Sequence, residues 1–340
     1  VTAQFRTFAA KVPAMSRPLD VMLLLALPAS GKSEVRRYLA SLTPEQCKNE
    51  MHLGPTVQLD DYPYVHLMRR VSEELRKRGH DGVFFDSDDL PMKESRDWGT
   101  LIQLLNEDFE DLVNQRRVAP ASASDWLLER FDAARVKVGA KPELGALPAA
   151  LRTELVHALA AEASDLVREK NSGVPESLEG RTIVIEAARG GPDGATPPLP
   201  APLGYQYSLA QFSPEILRRA SILYVWVTPE ESRRKNIERT DPKDPGSILN
   251  HGVPMAVMLG DYGCDDMSYL IETSGKPDTV TIRAHGETFH IPVARFDNRH
   301  DLTTFVRSAP GKWKAEQVRA LHEGLAGATA KLAESMANAG

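Results

Sequence analysis

The sequence predicts an α/β fold: a mostly parallel five-stranded sheet with a largely helical insertion between its second and third strands. Three observations carry this. Five short apolar runs, at residues 20–27, 56–60, 182–187, 222–228 and 290–296, have the length and composition of strands buried in a parallel sheet. Stretches with helical spacing separate most of them, and such alternation predicts a layered α/β domain. The interval 62–180 breaks that rhythm, because it is long and reads as mostly helical.

Bulk composition narrows the function classes. The 340 residues hold 41 Lys and Arg against 47 Asp and Glu, a net charge of −6. That excludes a globally basic nucleic-acid binder and leaves a local basic groove open. The only cysteines, Cys47 and Cys264, exclude a disulfide framework or zinc cluster and fit a reducing cytoplasm. No apolar run approaches transmembrane length, so no membrane association is expected.

Residues 1–18 read as a loosely held arm. The first strand runs into Ala26-Leu27-Pro28-Ala29-Ser30-Gly31-Lys32-Ser33, and a helical pattern follows from Glu34. Strand, glycine turn, Lys-Ser and helix in that order form the context of a phosphate-binding P-loop, or Walker A motif. Backbone N–H groups of Ala29, Ser30, Gly31, Lys32, Ser33 and Glu34 would line the concave turn, reinforced by the helix N-terminus. Lys32 would reach the β- and γ-phosphates, and the Ser33 hydroxyl would hold Mg²⁺. Ala26 stands where the usual first glycine lies, and its side chain is small enough for a strand end. Two other readings are a chance match and a signal peptide built on Arg17, the apolar run and Ala-Leu-Pro-Ala-Ser. Asp20 beside the short apolar core, and the helix beyond, argue against the second.

The second strand ends in Leu59-Asp60-Asp61-Tyr62. Strand C-terminal ends face the ligand crevice of a parallel sheet. Asp60 or Asp61 could therefore orient or deprotonate a substrate hydroxyl, sit behind Mg²⁺, or simply cap the next helix. The insertion then shows helical patterns at 65–77, 98–113, 124–136 with Ser124 as cap, and 148–170. These form either a substrate subdomain or helices packed on the core. The acidic run Asp86-Ser87-Asp88-Asp89 is either a solvated loop or part of the acceptor site.

The third strand ends at Glu186, a Walker-B position that could hold Mg²⁺ through a water. Arg189 follows, either as a phosphate ligand or as a surface charge, and 190–204 reads as a loose Pro/Gly/Ala loop. Beyond the fourth strand, a charged helix carries Arg233, Lys235 and Arg239, suited to a transferring phosphate or to a solvated face. Residues 241–266 read as irregular, and 279–291 as a hairpin around His285-Gly286-Glu287. The fifth strand ends in Arg295-Phe296-Asp297-Asn298, where Asn298 could offer its amide to a purine or serve as a turn residue. A long amphipathic helix, 313–336, occupies most of the closing segment 311–340.

Taken together, ALPASGKS, the LDD after the second strand, IVIEAARGG, the Arg-rich helix and RFDNRHDL resemble the nucleotide-kinase-like branch of P-loop kinases, within the P-loop NTPase superfamily. The resemblance implies a P-loop NTPase core at 19–61 and 181–310, ATP and Mg²⁺ as ligands, Arg233 and Arg239 as lid arginines, and Asn298 beside the base. It does not reach 62–180. The expected activity is ATP-dependent phosphoryl transfer, with Lys32, Asp60, Asp61, Arg233 and Arg239 carrying the chemistry. The acceptor could be a small molecule, a nucleotide or a nucleic acid. An ATPase that drives a partner, or a non-catalytic ATP-binding module, would use the same motif. No Asn-Lys-x-Asp, GxGxxG after a strand, or HExxH occurs, and aromatics are sparse at 6%.

Overall fold

The computed structural model describes residues 18–239 and 252–338. Residues 1–17 of the expected N-terminal arm, and 241–251 of the expected irregular segment, lie outside the described residues. In chain order the elements are β1 (Val21–Leu25), α1 (Lys32–Ser41), α2 (Pro44–Glu50), β2 (Thr56–Asp60), α3 (Tyr62–Lys77), α4 (Asp97–Val113) and α5 (Ala123–Lys137). They continue with α6 (Ala149–Ala158), α7 (Ala160–Ser172), β3 (Thr182–Ala187), α8 (Gly204–Ala210), α9 (Pro214–Arg219), β4 (Ala220–Trp226) and α10 (Pro229–Arg239). The chain closes with α11 (Met255–Gly260), α12 (Met267–Glu272), β5 (Thr279–Ala284), β6 (Glu287–Asp297) and α13 (Ala315–Ala337).

The strands form one mixed sheet of six, in the order β2-β3-β1-β4-β6-β5. The first five are parallel to their neighbours, and β5 pairs antiparallel with β6. The expectation of five strands therefore falls one short. The hairpin around His285 and Gly286, both at positive φ, does not stand apart: its first strand extends the sheet edge. Every residue of β1 is buried, because helices cover both faces. Val21, Leu23 and Leu25 pack toward α4, α8, α9 and α12, while Met22 and Leu24 pack toward α1 and α13.

The insertion packs around a second cluster, in which α3, α5, α6 and α7 surround Phe84, Phe85 and Phe131 and which Leu27, Val257 and Tyr262 join from outside 62–180. Helix α4 belongs to both cores. Its Ile102, Leu105, Phe109 and Leu112 face the sheet, and its Trp98, Leu101 and Leu104 face the insertion. The periodicity alone did not divide 148–170, which breaks into two helices at Leu159. The cap of α5 is Ser122, whose side chain accepts from Asp125 N, rather than Ser124. Nor is 190–204 loose: Gly191 bridges to Cys264, Gly204 N donates to Gly190 O, and Leu199 is buried. Among the described residues no helix is long and apolar enough to cross a membrane.

Candidate active site

Successive strands leave β1 in opposite lateral directions, β3 on one side and β4 on the other. Ligand crevices form at such a switch point, beyond the strand C-terminal ends. There the chain turns from β1 into α1 through residues 26–31. Ala29 (φ 57°) and Gly31 (φ 103°) adopt left-handed backbone conformations. A Cβ on Gly31 would lie 2.4 Å from Thr303 Oγ1 and 2.7 Å from Asn298 Nδ2, so both φ and space demand glycine. Among the described residues, the backbone N–H groups of 29–34 donate to no carbonyl or side chain. Six unpaired donors at a helix start form a concave, electropositive surface.

The loop is braced from behind. Ser30 Oγ donates to Leu27 O at 2.6 Å, and Ser232 Oγ of α10 donates to Pro28 O at 2.7 Å. Asn298 is fully buried. Its Nδ2 donates to Ser30 O (2.7 Å) and Thr303 Oγ1 (2.8 Å), and its Oδ1 accepts from Leu302 N (2.7 Å). This corrects the expectation of a base-contacting amide: both ends of the Asn298 side chain are occupied in holding the loop.

Lys32 is buried, with Nζ 3.3 Å from Ala26 O and 4.0 Å from Glu186 Oε1. Burial pulls its pKa below the usual amine value, while Glu186, Asp61 and Asp60 oppose that shift. Glu186 Oε2 accepts from Arg36 Nη1 at 2.8 Å, and the same nitrogen stands 3.2 Å from Asp60 Oδ2. Asp60 Oδ1 accepts from Tyr62 N at 2.9 Å. Burial, then the neighbouring Glu186 and Asp61, push the Asp60 carboxyl up to about 7. The sequence did not single out Arg36, although it lies four residues from Lys32 and so shares its helix face.

Asp60 and Asp61 differ sharply. Asp61 Oδ2 accepts from Arg189 Nη1 at 2.6 Å. Arg189 is 2% exposed and also reaches Ser208 Oγ (3.1 Å), Ala188 O (2.6 Å) and Trp98 O (3.2 Å). It is neither a phosphate ligand nor a surface charge; it ties β2, β3, α4 and α8 together. Glu34 is buried and paired with Arg307 at 2.5 Å.

A cavity of about 740 Å³ opens over the loop and runs past Asp60 and Asp61 to α3, α4 and α7. Ala29, Ser30, Gly31, Lys32, Ser33, Glu34, Asp60, Asp61, Glu186 and Arg239 all line it. Arg233 does not. It pairs with Asp193 at 3.0 Å on the outer side of α10, so helix phase separates it from Arg239. Lys235 points inward but binds Asp301 at 2.9 Å. The acidic run at 86–89 is away from the cavity: Asp86 pairs with Lys93 and Asp88 with Arg76. Tyr62 and Arg69 of α3, which the sequence reading left out, do line it. Among the described residues, no group of three or more His, Cys, Asp or Glu side chains is arranged to hold a metal ion. No family model, curated protein or solved structure matches this chain.

Proposed function

We propose that this chain is a P-loop kinase that transfers the γ-phosphate of ATP to a hydroxyl of an acceptor. The observation that carries this reading is the loop itself: six unpaired N–H groups, a sterically required Gly31 and a buried lysine at the mouth of a 740 Å³ cavity. Lys32 Nζ donates to Ala26 O, a carbonyl of its own loop. A triphosphate suits this surface because its oxygens supply the acceptors the N–H groups lack.

The Ser33 hydroxyl lines the cavity and has no partner among the described residues; with Glu186 it would hold Mg²⁺, the phosphate oxygens completing the shell. Bound there, the ion supplies neutralising charge between the phosphates. Asp60 is the acid placed to act on the acceptor, since Asp61 is locked to Arg189. In the step itself, the acceptor oxygen bonds to the γ-phosphorus and its proton passes to Asp60. The bond from that phosphorus to the β,γ-bridging oxygen breaks, and ADP leaves with the electron pair. Arg239 would face the transferring phosphate.

A radiolabelled γ-phosphate transfer screen against pooled acceptors tests this directly. Label appearing in an acceptor and disappearing with Lys32→Ala is the expected result. ATP hydrolysis at an equal rate with and without every pool would overturn the kinase reading in favour of an ATPase.

A further inference from the structure

The charges around the cavity are unevenly matched. At the strand ends the acids have cationic partners: Asp60 and Glu186 share Arg36, Asp61 has Arg189, and Glu34 has Arg307. Three guanidinium groups in the wall have no carboxylate within ion-pair distance among the described residues: Arg37, whose Nη1 and Nη2 donate to Arg307 O and Ser308 O, and Arg69 and Arg239. Arg239 belongs to the phosphate side. Arg69 belongs to α3 and has no role in the transfer step.

Arg69 is preorganised. Its guanidinium lies 4.0 Å over the Phe85 ring, and Nη1 donates to the backbone carbonyl of Asp88 at 2.7 Å. Its other N–H groups donate to nothing among the described residues. Tyr62, Val65 and Arg69 follow one another at i, i+3 and i+7 along α3, and all three line the cavity. Arg69 therefore stands two turns, about 10 Å along the axis, from the helix start where Asp60 waits. A partly desolvated guanidinium held flat, with free donors and no carboxylate at ion-pair distance, is a receptor for a planar or tetrahedral anion.

We propose that Arg69 recognises an anionic group, a phosphate or a carboxylate, on a small acceptor whose hydroxyl reaches Asp60. The proposal rests on the kinase reading only for the hydroxyl end. The anion site itself makes a claim that binding alone can test.

The test uses the full chain, saturated with Mg²⁺ and a non-hydrolysable ATP analogue so that the loop is filled. Calorimetric titrations compare matched probes: nucleosides with their 5′-monophosphates, sugars with their monophosphates, and hydroxy acids with their amides. At least one charged member should bind about tenfold or more tightly than its neutral twin. Which series shows the preference separates phosphate from carboxylate. Arg69→Met should abolish the preference, and Arg69→Lys should keep part of it. A panel in which no charged member is favoured overturns the proposal, whatever the variants do. So does a preference kept in a folded Arg69→Met. A preference that depends on Arg69, with no phosphate ever transferred, upholds the anion site and sinks the kinase reading.

Discussion

The two walls of the cavity hold charge by different means. On the loop side, main-chain N–H groups of 29–34 do the work, and the acids around them are paired. On the α3 side, a single side chain, Arg69, presents free donors, fixed by a ring and a carbonyl from a separate segment. The first is local, made by eight consecutive residues and their turn. The second exists only once α3 meets 84–88. A backbone site is therefore written in a motif, and a side-chain site is written in packing.

The sharpest way to break this comparison uses the neighbouring acids, Asp60 and Asp61. Asp61 is half of a buried ion pair, and removing one partner of such a pair costs about 3–5 kcal/mol. Asp61→Ala should lower stability by that order in denaturant unfolding, with Arg189 left charged and alone. A shift below about 1 kcal/mol would show that the pair is not the brace it resembles. Asp60→Asn should leave stability near neutral pH much closer to wild type.

Next in size is the effect on transfer. Lys32→Ala should keep the fold and cut phosphoryl transfer at least about a hundredfold, the scale of one electrostatic contribution to a transition state. Asp60→Asn should cost transfer about as much, while spontaneous ATP hydrolysis falls far less. Normal transfer by both Asp60→Asn and Lys32→Ala would remove the loop from the chemistry.

Asn298 sharpens the loop side further. Its amide replaces what the loop lacks in regular hydrogen bonds, so Asn298→Ala should cost about 1–3 kcal/mol. Nucleotide affinity should weaken equally for ATP and GTP, read by competition binding. A change in base preference would restore the base-contacting role that the sequence suggested.

What could be read from the sequence follows the same division. The buried strands, the loop, Glu186 and the hairpin were legible because each is a local pattern. The sixth strand was not, since a hairpin shows its turn but not the neighbour it will extend. The break at Leu159 was missed because alanine-rich helices carry the same periodicity on either side. Arg189 and Asp61 are 128 residues apart, and only the meeting of β2 and β3 shows that they neutralise each other. Arg233 and Arg239 look alike in a charged helix, yet one pairs with Asp193 and the other lines the cavity.

One further effect is of pH, and it belongs to Asp60. Its carboxyl, ordinarily near 3.8, is pushed up to about 7, by burial first and then by Glu186 and Asp61. Between those values the folded protein holds a proton that the unfolded chain has released. Stability from this group therefore falls as pH rises from about 3.8 to about 7 and levels off above. Asp60→Asn cannot titrate, so the stability of wild type relative to this variant should decline across that window when both are measured without nucleotide. Transfer should run the other way, rising through pH 7 as the carboxylate able to take the acceptor proton accumulates. The two slopes come from one group, so the stability decline should level off near the pH at which the transfer rise reaches its midpoint. Stability curves for wild type and Asp60→Asn that stay parallel through the window would make Asp60 an ordinary, ionised carboxylate already neutralised by Arg36. The acceptor-orienting role would then have to rest on charge alone, with no proton taken up.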